Sequence, residues 1–147
     1  IVLGHSNKGH TGCVGHSYLG RWVNLGAGTT TSNLKNTYGT VQLWTPAGIV
    51  DTGQQFLGTI FGDHVKTGIG SMLTTGTVLG TGANVYGASV HPKFVAPFAW
   101  GAGEPYATFQ ASKFIDVAER MMKRRGVQLG DALRRHLVRA HARATNS

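Results

Sequence analysis

Hydrophobic positions recur every six residues along much of the chain, a period that fits neither an α-helix nor an ordinary β-strand. The stretch SYLGRWVNLGAGTTTSN, residues 17–33, shows the repeat first, with a leucine followed by glycine at Leu19 and again at Leu25. In residues 56–90 the apolar or small position returns at Phe61, Thr67, Leu73, Leu79 and Val85. A strict period of six indicates a short strand and a turn, repeated so that each coil covers the apolar face of the last. We therefore expect a parallel β-helix of hexapeptide repeats.

The segment between the two repeat blocks, YGTVQLWTPAGIVDTG, interrupts this period. Val41 and Leu43 alternate with polar residues, TPAG has the composition of a tight turn, and Ile49 and Val50 restore apolar character. We expect a hairpin inserted into one coil, at about residues 37–55. A loop added to a repeat scaffold either lines a binding face or is a simple insertion, and the sequence leaves both open.

The pattern changes again after residue 90. HPKFVAPFAWG, residues 91–101, contains two prolines and three aromatic residues, so we expect an extended segment that caps the coils or contacts a neighbour. Two amphipathic helices are predicted at 112–125 and 130–143, the first ending at Gly126. Their apolar faces consist of Phe114, Val117, Ala118, Met121 and Met122 in the first helix and Leu133, Leu137 and Ala140 in the second. Residues 1–90 are thus expected to form the β-helix, and residues 91–147 the extended segment and the helices.

The net charge of +8 is concentrated in these predicted helices. Eight of the 14 basic residues lie between residues 120 and 143, whereas the first 110 residues carry only five basic and three acidic side chains. A basic helical face is more often solvated, or anchored to an acidic partner surface, than used to read nucleic acid. The charge distribution therefore argues against a nucleic-acid partner.

The remaining composition limits the class of protein. Glycine makes up 22 of 147 residues without a collagen period, which indicates many tight turns. The single cysteine, Cys13, excludes an intrachain disulfide and fits a reducing cytoplasm. The chain has no apolar run long enough to cross a membrane and starts at Ile1 without an initiator methionine. We expect a cytoplasmic C-terminal fragment of a longer protein.

Candidate chemistry comes from polar residues that the repeat does not explain, starting with the histidines. A histidine beside a polar orienting group can act as a general base, whereas two or three histidines from stacked coils could bind zinc. A surface turn without chemistry is the third interpretation. HSNKGHTG, residues 5–12, places Lys8 between His5 and His10, and a cation there suits a phosphate.

Two asparagines also stand out. Asn24 directly precedes Leu25, either in a turn with positive φ, which suits asparagine, or as a rung in a ladder of stacked asparagines. Asn33 lies where the hexad ends, close to Lys35 and the insertion, so a ladder is a less natural interpretation there.

The stretch GHTGCVGHSYLGRWVNLGAGTTTSN, residues 9–33, resembles a known family. It is similar to the C-terminal acetyltransferase domain of the bacterial bifunctional N-acetylglucosamine-1-phosphate uridyltransferase/glucosamine-1-phosphate acetyltransferases, and to related sugar-nucleotidyltransferase-like proteins. The resemblance extends over residues 5–35 and 60–87. It implies a left-handed β-helix, a homotrimer and acetyl-CoA bound at the cleft between subunits. It also implies a nucleotidyltransferase domain before residue 1, with Mg²⁺ used only by that domain.

Carried over by position, the resemblance assigns His10 as the base that takes a proton from the sugar amine as the amine attacks the thioester. It assigns Asn24 and Asn33 to holding the amino-sugar phosphate and orienting the acyl group, which is positioning chemistry. Lys35 and Lys8 are candidates for contacting the phosphate.

Three further residues, Gly68, Ile69 and Gly87, fall where the coils of this family touch acetyl-CoA, largely through backbone atoms. No residue is assigned to a metal.

Three functional hypotheses follow. The first is an N-acetyltransferase acting on an amino-sugar 1-phosphate. The second is a non-catalytic trimerisation or regulatory module of a sugar nucleotidyltransferase, which Cys13 and Leu34 favour because the family has tyrosines at both positions. The third is a zinc hydro-lyase resembling the γ-class carbonic anhydrases, with His5, His10 and His16 or another histidine as ligands.

Overall fold

The computed structural model describes residues 1–146, which contain short β-strands followed by two α-helices. The strands are β1 (Tyr18–Leu19), β2 (Asn24–Leu25), β3 (Thr30–Thr31), β4 (Gln42–Thr45), β5 (Gly48–Asp51), β6 (Ile60–Phe61), β7 (Lys66–Thr67), β8 (Met72–Leu73), β9 (Val78–Leu79), β10 (Asn84–Val85), β11 (Phe94–Val95), β12 (Ala99–Gly101) and β13 (Ala107–Thr108). The helices are α1 (Ala111–Lys123) and α2 (Asp131–Thr145).

Most of the strands stack in parallel on three faces. Face A contains β1, β6, β9 and β11, face B contains β2, β7, β10 and β12, and face C contains β3 and β8. Parallel bridges from Val2 to Leu19 and from Asn7 to Asn24 add a first coil ahead of β1. The expected parallel β-helix is therefore present; the left-handedness of its coils stays a prediction.

The six-residue period places its apolar positions inside the coils, as predicted. The inward residues are Leu19, Leu25, Phe61, Thr67, Leu73, Leu79 and Val85, and all are buried. The small residues four places after an inward position are buried too, because Val65, Ser71, Thr77 and Ala83 are 0 % exposed. A hydrogen bond of 2.7 Å between the hydroxyls of Thr29 and Thr67 satisfies polar atoms inside this stack.

Glycine directly after an inward residue lets neighbouring coils approach closely. A Cβ added at Gly62 would lie 2.6 Å from the backbone nitrogen of Thr81, in the next coil. At Gly68 it would lie 2.7 Å from Cβ of Tyr86. Both distances are shorter than side chains tolerate, so the sequence needs glycine at these positions.

The predicted hairpin is present between the second and third coils. Strands β4 and β5 pair antiparallel, with Thr45 opposite Gly48. The hairpin folds back onto the far end of the coils, because the ring of Trp44 stacks on Phe94 with centroids 3.6 Å apart.

Coil stacking continues beyond residue 90, where the sequence pattern ends. Strand β11 pairs in parallel with β9, and β12 pairs in parallel with β10. Val95 and Ala99 supply the buried inward positions, while Pro97 lies in the turn between the strands. The segment expected to run extended and to cap the coils or contact a neighbour forms a last coil, and the domain boundary near residue 90 stays a prediction.

The two helices confirm the sequence interpretation, with bounds that differ by one or two residues from those predicted. They pack on the coils through one apolar cluster, formed by Trp22, Phe98, Phe109, Phe114, Ile115, Met122, Leu129 and Leu137. An ion pair of 3.0 Å between Arg134 Nη2 and Glu119 Oε2 joins the helices. Across residues 1–146, neither helix has the length and apolar content needed to cross a membrane.

Candidate functional site

The turns between faces form three corners that run along the stack of coils. They are the A–B corner (residues 20–23, 62–65, 80–83 and 96–98), the B–C corner (9–11, 27–28, 68–70 and 86–88) and the C–A corner (14–17, 32–34, 56–58 and 74–76). The predicted site residues are distributed over these corners and face B.

His10, Asn24 and Asn33 lie at different positions around the coils. His10 is exposed on the B–C corner of the first coil, where the backbone N–H of Gly28 donates to Thr11 O at 2.8 Å. Asn24 opens β2 on face B, and Asn33 lies on the C–A corner. Among the described residues, no hydrogen bond joins His10 to either asparagine.

The three residues assigned to acetyl-CoA share the B–C corner with His10. In the third coil, Gly70 N donates to Ala27 O at 2.8 Å, which stacks residues 68–70 on the second coil. Glycine and alanine line most of this corner, and the side chain of Ile69 is 76 % exposed. The corner therefore presents accessible backbone over several consecutive coils.

Both lysines assigned to phosphate bind backbone carbonyls. Lys8 Nζ donates to His10 O at 2.7 Å and to Thr11 O at 2.6 Å, so it braces the turn that carries His10. Lys35 Nζ donates to Thr40 O at the base of the hairpin. Their roles toward a phosphate stay predictions.

Asn33 contacts His16, which the sequence interpretation considered only as a zinc ligand. Its Nδ2 lies 2.6 Å from Nδ1 of His16, and both residues lie on the C–A corner. The rings of His16 and Phe56 have centroids 5.4 Å apart. The amide of Asn33 can be flipped, and the proton of the neutral His16 ring can be on either nitrogen. In the flipped arrangement Asn33 Oδ1 accepts from His16 Nδ1–H, and the lone pair of Nε2 is free to accept a proton. The pair thus has the geometry of an oriented imidazole base.

Asn24 belongs to a short ladder on face B. Asn7 Nδ2 donates to Asn24 Oδ1 at 3.5 Å, and the next coil places Lys66 in register with Asn24. The expectation of positive φ at Asn24 was wrong, because Asn24 is in a strand and Trp22 occupies the positive-φ position of that turn, with φ of 62°.

Lys66 is held beneath α1 by two backbone carbonyls. Its Nζ donates to Trp22 O at 2.7 Å and to His64 O at 3.1 Å. Burial lowers the pKa of Lys66 to about 8. The ammonium is therefore mostly charged at neutral pH, although it lies in a partly dehydrated environment.

A cavity of about 240 Å³ lies between face B and the C-terminal end of α1; we call it the helix–coil cavity. It is lined by His5, Asn7, Trp22, Val23, Asn24, Lys66, Met121, Arg124 and Arg125. Of the residues assigned from the sequence, it contains Asn24. Nothing in the hexad pattern connects the coils with the end of a helix almost sixty residues later, so sequence reasoning missed this cavity.

Rings stacked along the A–B corner form one wall of that cavity. The imidazole of His5 stacks on Trp22, with centroids 4.0 Å apart and planes within 5°. His64 follows in the third coil and is buried, with φ of 63°. Burial, and then the charge of Lys66, lower the pKa of His64 to about 4. His64 is therefore neutral at physiological pH and has a structural role.

The histidines do not form a metal centre within one copy of the chain. Over residues 1–146, no group of three or more His, Cys, Asp or Glu side chains is placed to hold a metal ion. His5 stacks on Trp22 at the A–B corner, while His10 and His16 lie on the other two corners. The zinc hypothesis thus has no ligand set within the described part of one chain.

Comparison with known proteins finds the same group of enzymes as the sequence. Over 90 residues, 61 % of this chain, the sequence is 31 % identical to a bifunctional sugar-1-phosphate nucleotidylyltransferase/acetyltransferase from Sulfurisphaera tokodaii. The predicted resemblance is confirmed. The match covers 22 % of that relative, so the chain spans about a fifth of its length. No protein-family model matches the chain.

Two solved structures share part of the chain's shape at low sequence identity. A hexapeptide-repeat-containing acetyltransferase from Vibrio cholerae is 16 % identical, with a TM-score of 0.49 over 74 % of this chain and 62 % of that one. A mutant N-acyltransferase from Bacillus cereus, in complex with dTDP-4-amino-4,6-dideoxyglucose and coenzyme A, is 13 % identical, with a TM-score of 0.47 over 74 % and 60 %. Both scores are below 0.5, so neither structure identifies the fold by itself.

Proposed function

We propose that this chain transfers an acetyl group from acetyl-CoA to the amine of an amino-sugar 1-phosphate, as the C-terminal part of a sugar-nucleotidyltransferase-like protein. The similarity to the Sulfurisphaera relative supports this activity. The observation that carries the proposal is the His16–Asn33 pair, an imidazole held by a side-chain amide on an accessible corner. A general base oriented in this way is what amide formation from an amine requires.

Acetyl-CoA would supply the acetyl group as a thioester. The imidazole would take a proton from the amine nitrogen as the new C–N bond forms and the C–S bond breaks, and return it to the departing thiolate. The resemblance assigns this role to His10, whereas the structure gives His16 the orienting partner. Asn33 would then act by fixing the ring, and Asn24 by contacting the sugar phosphate.

The B–C corner is the proposed binding surface for acetyl-CoA, through the backbone of Gly68, Ile69 and Gly87. In a cyclic homotrimer each interface joins two different surface patches, so different corners of neighbouring copies can meet. We propose that assembly places the His16–Asn33 pair of one copy near the B–C corner of the next. In one copy the proposed base and the proposed acetyl-CoA surface lie on different corners, and this arrangement would bring them together.

A non-catalytic assembly module is the second candidate. Cys13 is exposed and Leu34 half-buried at the two positions where the family has tyrosines, so phenol hydroxyls that would hold the sugar are absent. The retained asparagines and histidines count against this candidate.

The test is release of free CoA from acetyl-CoA in the presence of glucosamine 1-phosphate or galactosamine 1-phosphate. Wild type, His10→Ala and His16→Ala should be compared, with sedimentation used to measure the oligomeric state of each. Turnover lost in one histidine variant whose assembly is unchanged identifies the base. Absence of turnover with both sugars, in the full-length protein, would overturn the transferase proposal in favour of the assembly module.

A further inference from the structure

We propose that the helix–coil cavity is a phosphate-binding site that takes the phosphoryl group of a small phosphorylated sugar. The proposal extends the proposed function in one respect, because Asn24, assigned to the sugar phosphate, lies in the cavity wall. The cationic residues that would bind the phosphoryl group are not among those that the resemblance assigns.

The charges of the lining residues favour an anion. Lys66, Arg124 and Arg125 line the cavity, and none of the carboxylates within residues 1–146 does. Within residues 1–146, neither Arg124 nor Arg125 has a side-chain hydrogen bond or an ion pair. An anion in the cavity would be attracted by all three lining cations. Arginine binds phosphate oxygens in a bidentate manner, so this pair of side chains suits a phosphoryl group.

Lys66 is already positioned for this role. Two of its three N–H donors are taken by Trp22 O and His64 O, which fix the ammonium and leave the third donor free. Burial is the cause of its lowered pKa, and no acidic group among the described residues offsets it. A bound anion would supply the missing counter-charge.

The amide ladder adds a neutral donor. Asn24 Oδ1 accepts from Asn7, and none of the described side chains accepts from Asn24 Nδ2. The stacked rings of His5 and Trp22 form a flat wall beside it. A volume of about 240 Å³ is below the usual range of roughly 300–1,000 Å³ for sites that enclose larger ligands. The cavity therefore suits a phosphoryl group with part of a sugar ring rather than a whole nucleotide.

The end of α1 alone does not explain this arrangement. Basic residues near a helix C-terminus interact favourably with its partial negative charge, which accounts for Arg124 and Arg125 without a ligand. It does not account for Lys66, which comes from β7 in the third coil and is partly dehydrated there. Cations from two elements distant in sequence thus meet at one cavity.

The first experiment is calorimetric titration of the intact chain with inorganic phosphate and with glucosamine 1-phosphate. The test variant is Arg124→Gln/Arg125→Gln, and the matched control is Arg120→Gln/Lys123→Gln, which removes the same charge from the adjacent last turn of α1, outside the cavity. We expect both ligands to bind wild type and control, and affinity to fall roughly 10- to 100-fold in the test variant, because charged hydrogen bonds are lost. Circular dichroism confirms that all three proteins are folded.

Two results would overturn the proposal: no binding to wild type, or the same loss in control and test variant, which indicates an effect of net charge alone. Tighter binding of the sugar phosphate than of inorganic phosphate identifies the sugar phosphate as the ligand. Equal binding identifies free phosphate and overturns the assignment to a sugar.

Acetyl-transfer assays on the same variants separate this proposal from the proposed function. If the cavity holds the substrate phosphate, the test variant should raise KM for the sugar and leave kcat nearly unchanged. Phosphate binding without any acetyl transfer, in the full-length protein as well, would support the phosphate site and overturn the transferase proposal. Transfer with unchanged KM and no phosphate binding would keep the transferase and overturn the site.

Discussion

The side chains of Asn33 and His16 contact each other, with 2.6 Å between Nδ2 and Nδ1, although a complete coil of chain separates the two residues. The contact follows from stacking, because Thr31 N donates to Cys13 O and Gly15 N donates to Thr31 Oγ1 just before the two residues. A parallel β-helix thus brings residues one coil apart into register. This register makes Asn33 an orienting group for His16.

We expect Asn33→Ala to lower kcat for acetyl transfer roughly 10- to 100-fold, since a displaced imidazole loses part of the roughly 10²- to 10⁴-fold contribution of a general base. If Asn33 acts through His16, adding Asn33→Ala to His16→Ala should cause no further loss. Steady-state kinetics on the two single variants and the double variant test this. Additive losses would show that Asn33 has a separate role.

We expect Gly62→Ala to destabilise the protein by about 1–3 kcal/mol, because the added methyl group collides with the backbone of the next coil. The Cβ would lie 2.6 Å from Thr81 N, an atom that cannot move aside alone. Gly103→Ala is the matched control, since a Cβ there meets no atom of the described residues within 4 Å. Urea unfolding of both variants gives the comparison, and equal stability would contradict the close-stacking interpretation.

The stability of the protein should fall as the pH drops below about 6.5, because His64 is neutral in the fold. Its pKa is about 4 when folded, so between pH 6.5 and 4 only the unfolded chain takes up the proton. The linked loss is about 3 kcal/mol over that window and does not grow below it.

Asparagine at position 64 tolerates the positive φ and does not titrate, so His64→Asn should lose this part of the pH dependence. Unfolding free energies of wild type and variant between pH 4 and 7 provide the measurement. A wild-type slope that persists in the variant would assign the acid sensitivity elsewhere.

Anion binding to the helix–coil cavity should weaken as the pH rises through about 8, because Lys66 loses its charge there. The guanidinium group of arginine does not deprotonate in proteins. His64 is already neutral at that pH, and His5 also lines the cavity. Sulfate is the suitable probe, since its own charge is constant over this range. We expect roughly a tenfold loss of affinity between pH 7 and 9 at constant ionic strength.

Lys66→Met should bind sulfate weakly at both pH values and lose this step. A step of equal size in the variant would show that another group is responsible.

The repeat could be predicted from the sequence because its physical cause is local. Inward residues such as Phe61 and Val85 recur at a fixed spacing, and glycines such as Gly62 mark the tight approach of coils. The last coil was missed because Phe94 and Val95 follow a turn of different length, so the period no longer identifies them. Stacking requires that a side chain fills the inward position of each strand, and it does not require a constant number of residues between these positions.

The candidate site was less predictable because its contacts cross between coils and elements. The spacing of His16 and Asn33 equals that of Asn7 and Asn24, so a one-coil separation was available as a signal. No spacing rule relates Lys66 to Arg124, because the turns between the last coil and α1 set where the helix lies. From the charge pattern alone, Arg124 and Arg125 were interpreted as part of a basic helical face that is solvated or anchored to an acidic partner surface.

The inserted hairpin has a consequence for the order in which the coils assemble. Tyr18 pairs with Ile60 across the insertion, whereas Ile60 pairs with Val78 across a single coil. The loop between Tyr18 and Ile60 is more than twice as long as the loop between Ile60 and Val78, and closing it costs about 0.7 kcal/mol more in chain entropy. We therefore expect the third to fifth coils to form first and the first two coils to dock onto them. Pulse-labelling hydrogen exchange during refolding would show protection at Ile60 and Val78 ahead of Tyr18 if this order is followed. The hairpin would then separate two halves of the molecule. The later-folding half would use the early-folding half as its template.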